Sequence, residues 1–172
     1  QEIINRVANS KLETIDLELF FPKIERISFD IKPWLKDELF LLEKEFRERV
    51  KNFDWKKYKN KVVYITCSND AIIPDWAYIL VSSQFNSHEI ENVIGSKEIL
   101  NIKLIADMVN AFDFSIYKGK PVIIKGCSDQ KIPLSAYSIL LEKLQLEAKS
   151  IMFGEACSSV PIYKSSKNPN EV

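Results

Sequence analysis

The amino-acid sequence predicts an α/β fold that is internally duplicated, with an offset of 59 in the numbering. In this fold a mostly parallel sheet is flanked by helices and preceded by an N-terminal antiparallel β-hairpin. From residue 62 onwards, short runs rich in β-branched residues alternate with longer segments of helical spacing, which is typical of parallel sheets covered by helices. Residues 53–78 and 112–137 align without a gap and are identical at 12 of 26 positions, which indicates a duplicated unit.

The N-terminal region, residues 1–34, contains two segments in which apolar residues recur at every second position. These segments are Ile15–Phe21 and Ile27–Ile31, and a Pro-Lys pair lies between them. A period of two indicates extended strands, and a short polar connection between two such strands favours a hairpin. We therefore expect the two segments to pair antiparallel, outside the repeat.

The first repeat, residues 35–95, begins with a predicted helix. Its apolar residues are spaced by three and four, with charged residues between them: Leu35, Leu39, Leu42, Phe46, Val50 and Phe53. A strand at 62–66 follows, then a helix that begins at Pro74, where the missing N–H of proline costs no hydrogen bond. The repeat ends with a strand at 91–94, just before Gly95.

The second repeat, residues 96–164, contains the same order of elements. The pattern predicts a helix at 102–112, a strand at 122–125, a helix from Pro133, and a strand at 149–153 that ends at Gly154. Residues 160–163 are compatible with one more strand, and residues 165–172 form a polar tail that we expect to be loose. The whole chain, 1–172, is predicted to be a single domain.

Composition narrows the classes of function. Lys plus Arg and Asp plus Glu number 24 each, so the net charge is zero and the chain has no general electrostatic attraction to nucleic acid or to an anionic membrane; we expect it to bind neither. No apolar run is long enough for a membrane span. Three cysteines without a secretion signal indicate free thiols in the cytoplasm.

The three cysteines form the candidate site. Each follows a predicted strand and is itself followed by serine: Cys67-Ser68, Cys127-Ser128 and Cys157-Ser158. In a single parallel sheet all three thiols would lie on the carboxyl edge, where ligands bind in α/β proteins. Three thiolates suit iron, zinc or an iron–sulfur cluster. The candidates for a fourth ligand are Asp70, Asp129 and Glu155. The candidate supporting residues are the three serines that follow the cysteines, together with Tyr78 and Tyr137.

The leading hypothesis is an accessory protein, rather than an enzyme, that binds a metal ion or an iron–sulfur cluster through these cysteines. Two alternatives remain open. One is an enzyme that uses a cysteine as a nucleophile or redox group. The other is a binding module, which could be a homo-oligomer, whose cysteines are small buried side chains without chemistry.

Several ordered phrases of the sequence resemble domain-of-unknown-function family 2480. They are Asn5-Arg6-Val7-Ala8-Asn9-Ser10, Ile65-Thr66-Cys67-Ser68, Pro74-Asp75-Trp76-Ala77-Tyr78, Lys125-Gly126-Cys127 and Gly154-Glu155-Ala156-Cys157-Ser158-Ser159-Val160-Pro161. The resemblance covers nearly the whole chain. It implies a small bacterial cytoplasmic protein with no assigned activity, and it suggests iron–sulfur assembly proteins as partners through gene proximity. It carries over no catalytic residue.

Overall fold

The computed structural model describes residues 12–126, 131–155 and 157–166. These ranges contain seven strands and four α-helices, so the predicted α/β class is confirmed. The strands are β1 (Glu13–Ile15), β2 (Arg26–Asp30), β3 (Val62–Thr66), β4 (Asn92–Ile94), β5 (Pro121–Lys125), β6 (Ser150–Glu155) and β7 (Ser158–Lys164). The helices are α1 (Glu43–Asn52), α2 (Asp75–Ser87), α3 (Lys97–Ala111) and α4 (Leu134–Glu147).

The strands belong to two sheets rather than one, and the chain divides into two compact units. Unit 1 comprises the described parts of Gln1–Pro22 and Ile102–Val172, and unit 2 comprises Lys23–Asn101. The prediction that the sheet structure is mostly parallel is confirmed, because β6–β7 is the one antiparallel pair among the described named strands. The single-domain assignment stays a prediction.

Unit 2 is built on a three-stranded parallel sheet with the order β2-β3-β4. Its core contains a group of aromatic rings centred on Phe29, which is 2% exposed. The ring of Phe29 lies 5.1 Å from Trp34, 5.5 Å from Trp55 and 5.4 Å from Phe85, measured between ring centroids. Edge-to-face and stacked contacts of this kind add to the free energy gained by burying the rings. This core holds the carboxyl ends of β2 and β3 in place.

Unit 1 is built on a four-stranded sheet with the order β1-β5-β6-β7. The first three strands are parallel, and β7 returns antiparallel to β6. Gly154 permits this return, because its φ is +126° and a Cβ atom there would lie 2.5 Å from the carbonyl oxygen of Ser158. A side chain at this position would meet both backbone strain and a steric clash.

The predicted N-terminal hairpin is wrong. β1 pairs in parallel with β5, whereas β2 pairs in parallel with β3 in the other sheet. The alternating pattern also stops early, since Asp16 caps a 3₁₀ turn at Leu17–Phe20. Alternation identifies extended backbone on a half-buried surface, but it does not identify the partner strand.

The predicted helix at 35–53 is too long. α1 begins at Glu43, and the preceding segment Lys36–Phe40 forms a tight turn closed by backbone hydrogen bonds. Asp37 and Glu38 in this turn have φ values of +51° and +58°. These left-handed conformations are incompatible with a right-handed helix. Leu39 therefore has helical spacing in the sequence but does not lie on a helix.

The elements of the two units correspond. β3 and β5 begin and end at the offset of the sequence repeat, and α2 and α4 begin at the same offset. β1 and β2 occupy equivalent positions too, because Ile15 pairs with Ile124 while Phe29 pairs with Ile65. β1 and β2 are separated by far fewer residues than the other pairs of equivalent elements. The offset that relates Ile15 to Phe29 is therefore shorter than the offset of the sequence repeat. The sequence repeat therefore coincides with a repeat of secondary structure, and an ancestral duplication stays a prediction.

Candidate functional site

The described cysteines do not form a cluster. Cys67 follows β3 in unit 2 and is half-buried, whereas Cys157 is exposed in the short connection between β6 and β7 of unit 1. Cys127, Ser128 and Asp129 lie outside the described residues. Within the described ranges, no group of three or more His, Cys, Asp or Glu side chains is arranged to hold a metal ion. The predicted metal or iron–sulfur function is therefore wrong. Its premise, a single sheet edge shared by all three thiols, fails because the strands belong to two sheets.

The other predicted site residues are dispersed. Asp70 is exposed in the loop after β3, and Glu155 is exposed at the end of β6, opposite Ser158. Tyr137 packs edge-to-face on Phe153, with the ring centroids 5.6 Å apart. Burial raises the pKa of Tyr137, and the nearby charges of unit 1 add to this shift. These residues do not form one binding site.

Several of the predicted residues do meet at the carboxyl edge of the unit 2 sheet. Asp30 ends β2, and its Oδ1 accepts hydrogen bonds from the backbone N–H groups of Lys32 and Ser68, both at 3.0 Å. Burial alone would raise the pKa of Asp30, but the hydrogen bonds from Ser68 and Lys32 outweigh it and the pKa is lowered. Burial raises the pKa of Tyr78, and nearby Cys67 and Asp30 raise it further. The hydrogen bond from the N–H of Ser68 to the carboxylate of Asp30 thus holds the loop that contains Cys67 at the end of β2.

Asp16 is the equivalent carboxylate in unit 1. It accepts from the backbone N–H of Glu18 at 2.9 Å and from Nζ of Lys125 at 2.8 Å. Burial acts to raise the pKa of Asp16, but these partners lower it overall. Sequence comparison at the offset of 59 missed this pair of aspartates. The sequence signal that could have identified this pair is an aspartate directly after the last apolar residue of each strand, in Ile15-Asp16 and Phe29-Asp30.

Asn69 connects the Cys67 loop to the tight turn at 36–40. The thiol of Cys67 donates to Oδ1 of Asn69 at 2.9 Å, and the backbone N–H of Ala71 donates to the same oxygen at 3.3 Å. The amide nitrogen of Asn69 donates to the carbonyl oxygen of Glu38. The contacts of Cys67 thus indicate a structural role in this loop.

The two segments that Asn69 connects form the walls of an apolar groove, with a cavity volume of about 420 Å³. One wall includes Leu39 and Phe40, which are 53% and 62% exposed, and the other includes Ile72, which is 93% exposed. Pro74 closes the end at which α2 begins. Large apolar side chains grouped on a concave surface are typical of binding sites. We call this site, between residues 36–41 and 70–74, the unit 2 groove.

The rim of the unit 2 groove is acidic. Its two walls contain one lysine and three carboxylates, which gives a net charge of −2, and Asp75 at the start of α2 adds one more negative charge nearby. Asp37, Glu38, Asp70 and Asp75 are all exposed. Glu38 also pairs with Lys32, at 3.0 Å between Nζ and Oε2. The groove therefore combines apolar walls with a negative local charge, although the whole chain is neutral.

The fold places this chain among α/β proteins with parallel sheets, whose ligands bind beyond the carboxyl ends of the strands. The chain belongs to the family described as protein of unknown function (DUF2480), whose model matches residues 1–165. No curated protein and no solved structure matches it. Within the described ranges, no helix combines the length and hydropathy needed to span a bilayer. The cytoplasmic location stays a prediction.

Proposed function

We propose that the protein is a binding protein whose unit 2 groove holds an apolar segment of a partner polypeptide. The observation that carries this proposal is the grouping of Leu39, Phe40 and Ile72 in one groove although each is more than half exposed. Single exposed apolar residues are ordinary on a protein surface, whereas several grouped on a concave surface mark an interaction site.

The exposed side chains in the groove leave free energy available for binding. Ile72 is 93% exposed, so its side chain contributes little to the hydrophobic core of unit 2. Burying such a side chain against a partner stabilises a complex by about 1.5–3 kcal/mol. Three such residues contribute about 5–9 kcal/mol before the cost of association and of ordering the partner is subtracted, so the expected Kd is weaker than micromolar.

The groove is held in its open shape before a partner arrives. Asn69 connects the two walls, and the backbone hydrogen bonds between Lys36 and Phe40 fix the turn. Asp37 and Glu38 adopt left-handed conformations that cost free energy outside glycine and are often found at functional sites. A groove ordered in advance reduces the entropy lost on binding, which favours affinity.

The charge of the rim specifies the partner further. The two wall segments, residues 36–41 and 70–74, have a net charge of −2, which attracts a segment that contains lysine or arginine. The proposed partner segment is therefore apolar at two or three positions, which enter the groove, and basic at its flanks. Rim charges of this kind mainly raise the association rate, and their effect falls as salt is added.

The test begins with random linear peptides displayed on phage and selected on the wild-type protein. We expect the selected sequences to share apolar residues flanked by Lys or Arg. Affinity is then measured by fluorescence anisotropy for the wild type and for Ile72→Ser, which should bind about tenfold more weakly or worse. The matched control is Leu134→Ser, since Leu134 is 85% exposed but lies in unit 1, on α4.

Asp70→Asn tests the contribution of charge separately. It should weaken binding severalfold at low salt and have little effect at high salt, because an exposed charge is screened. The proposal fails if the selected peptides bind Ile72→Ser as tightly as they bind Leu134→Ser. It also fails if the selected sequences lack apolar residues.

A further inference from the structure

We infer that unit 1 contains a second binding site, for a small uncharged apolar molecule about the size of a substituted benzene. The site is a cavity of about 250 Å³ between the 3₁₀ turn Leu17–Phe20 and the last turn of α3. It does not depend on the unit 2 groove. The segments that form it belong to unit 1 alone.

Apolar side chains dominate the lining. The ring of Phe20 meets that of Phe112 edge-to-face, with the centroids 5.2 Å apart, and this pair forms one wall. Leu19 and Met108 are 78% and 43% exposed although they border a concave site. Neither an acidic nor a basic side chain lines the cavity among the described residues. A charged ligand would therefore lose its hydration without gaining a partner here.

The volume indicates how large a group the cavity can hold. An apolar cavity of roughly 150 Å³ in a protein core is known to hold benzene. A cavity of about 250 Å³ therefore has room for one aromatic ring with a small substituent, but it lies below the roughly 300–1,000 Å³ of sites for drug-sized molecules. Aromatic edges in the wall favour a ring over an aliphatic chain, because ring edges and faces attract one another.

Unit 2 has a depression at the equivalent position, with a different lining. It is lined by Trp34, Arg49, Asn52 and Phe53. Trp34 corresponds to Phe20 at the shorter offset, which also relates Phe29 to Ile15. Arg49, Asn52 and Phe53 correspond to residues of the unit 1 cavity at the offset of the sequence repeat.

Arg49 and Asn52 correspond in this way to Met108 and Ala111 of unit 1. The guanidinium of Arg49 donates to the carbonyl oxygen of Pro33 at 2.7 Å, so one border of the unit 2 depression is cationic. The two units therefore have a concave site at the same place, but only the unit 1 site is lined without charge.

The experiment uses the full chain and three uncharged probes: toluene, p-cresol and indole. Methyl and aromatic NMR resonances report where each probe binds. We expect at least one probe to shift the resonances of Leu19, Met108 and Phe112. Benzoate and benzylamine, which have the same ring but a charge, should bind at least about tenfold more weakly.

Two variants and a control make the test specific. Met108→Arg combined with Ala111→Asn installs the unit 2 residues at exposed positions and should weaken probe binding about tenfold or more. Ala111→Leu fills the cavity without adding charge and should act in the same direction. Leu146→Arg, at a position 79% exposed on α4 outside the cavity, should leave the affinity within about twofold.

Three outcomes overturn the inference. The first is that no probe shifts these resonances up to its solubility limit. The second is that both cavity variants bind the probes as the wild type does, while thermal unfolding shows that they are folded. The third is that the wild type dimerises as its concentration rises and Met108→Arg abolishes the dimer. In that case the cavity binds a side chain of a second copy of the chain and not a small molecule.

Discussion

Asn69→Ala removes the side chain that connects the two walls of the unit 2 groove. Three hydrogen bonds are lost, with Cys67, Ala71 and the carbonyl oxygen of Glu38 as partners. A typical hydrogen bond contributes about 0.5–1.5 kcal/mol net, and the bond from Ala71 is long, so we expect a total loss of about 2 kcal/mol. This loss should lower the urea midpoint by about 1 M at unchanged slope.

The assay is equilibrium urea unfolding followed by tryptophan fluorescence, since Trp55 is buried in the unit 2 core. Asn110→Ala is the matched control, because Asn110 is exposed on α3. Alanine there should stabilise the helix slightly, by less than about 0.7 kcal/mol. A loss below about 0.5 kcal/mol for Asn69→Ala would show that Asn69 does not hold the walls together.

Three further predictions concern other parts of the chain. Gly154→Ala should destabilise the protein by about 3 kcal/mol in thermal unfolding, because of its left-handed backbone and the clash with Ser158, and a cost below about 1 kcal/mol would contradict this. The lowered pKa of Asp30 contributes stability that is present above its ordinary pKa of 3.8 and is lost as the pH falls through the folded value. The unfolding free energy of Asp30→Asn should therefore fall less steeply with acid than that of the wild type, and equal slopes would argue against the hydrogen bonds described. Peptide-level mass spectrometry after brief alkylation should find Cys157 labelled faster than Cys67, since the first is exposed and the second is half-buried and bonded to Asn69; the reverse order would refute this.

The central strands and the helices that follow them could be predicted from the sequence. β3 contains the run Val62–Thr66, whose β-branched residues favour extended backbone. α2 and α4 both begin directly after a proline, Pro74 and Pro133, as expected at a helix start. These signals are local, so one sequence is sufficient to identify them.

Strand pairing could not be predicted, because it depends on contacts between segments far apart in the chain. β1 and β2 are close in sequence, yet Ile15 pairs with Ile124 and Phe29 pairs with Ile65. The predicted thiol cluster depended on one shared sheet. Division of the strands into two sheets placed Cys67 and Cys157 on different sheets, which removed the geometric basis for a metal site.

The unit 2 groove lies where the helix prediction was wrong. Leu39 and Leu42 have the spacing of an apolar helix face, but both are exposed and precede α1. Asp37 and Glu38 adopt conformations that local propensity disfavours. Natural sequences depart from local preferences most often at functional or strained sites. This departure therefore agrees with the proposed binding role of the turn.

The most direct test of the proposed function is to map where a selected peptide binds. Amide resonances of the isotopically labelled protein are followed while the peptide is added. We expect the largest shifts in residues 36–41 and 70–74, the two walls of the groove, and only small shifts elsewhere. If the largest shifts instead fall in unit 1 or on the opposite ends of the unit 2 strands, the groove is not the binding site.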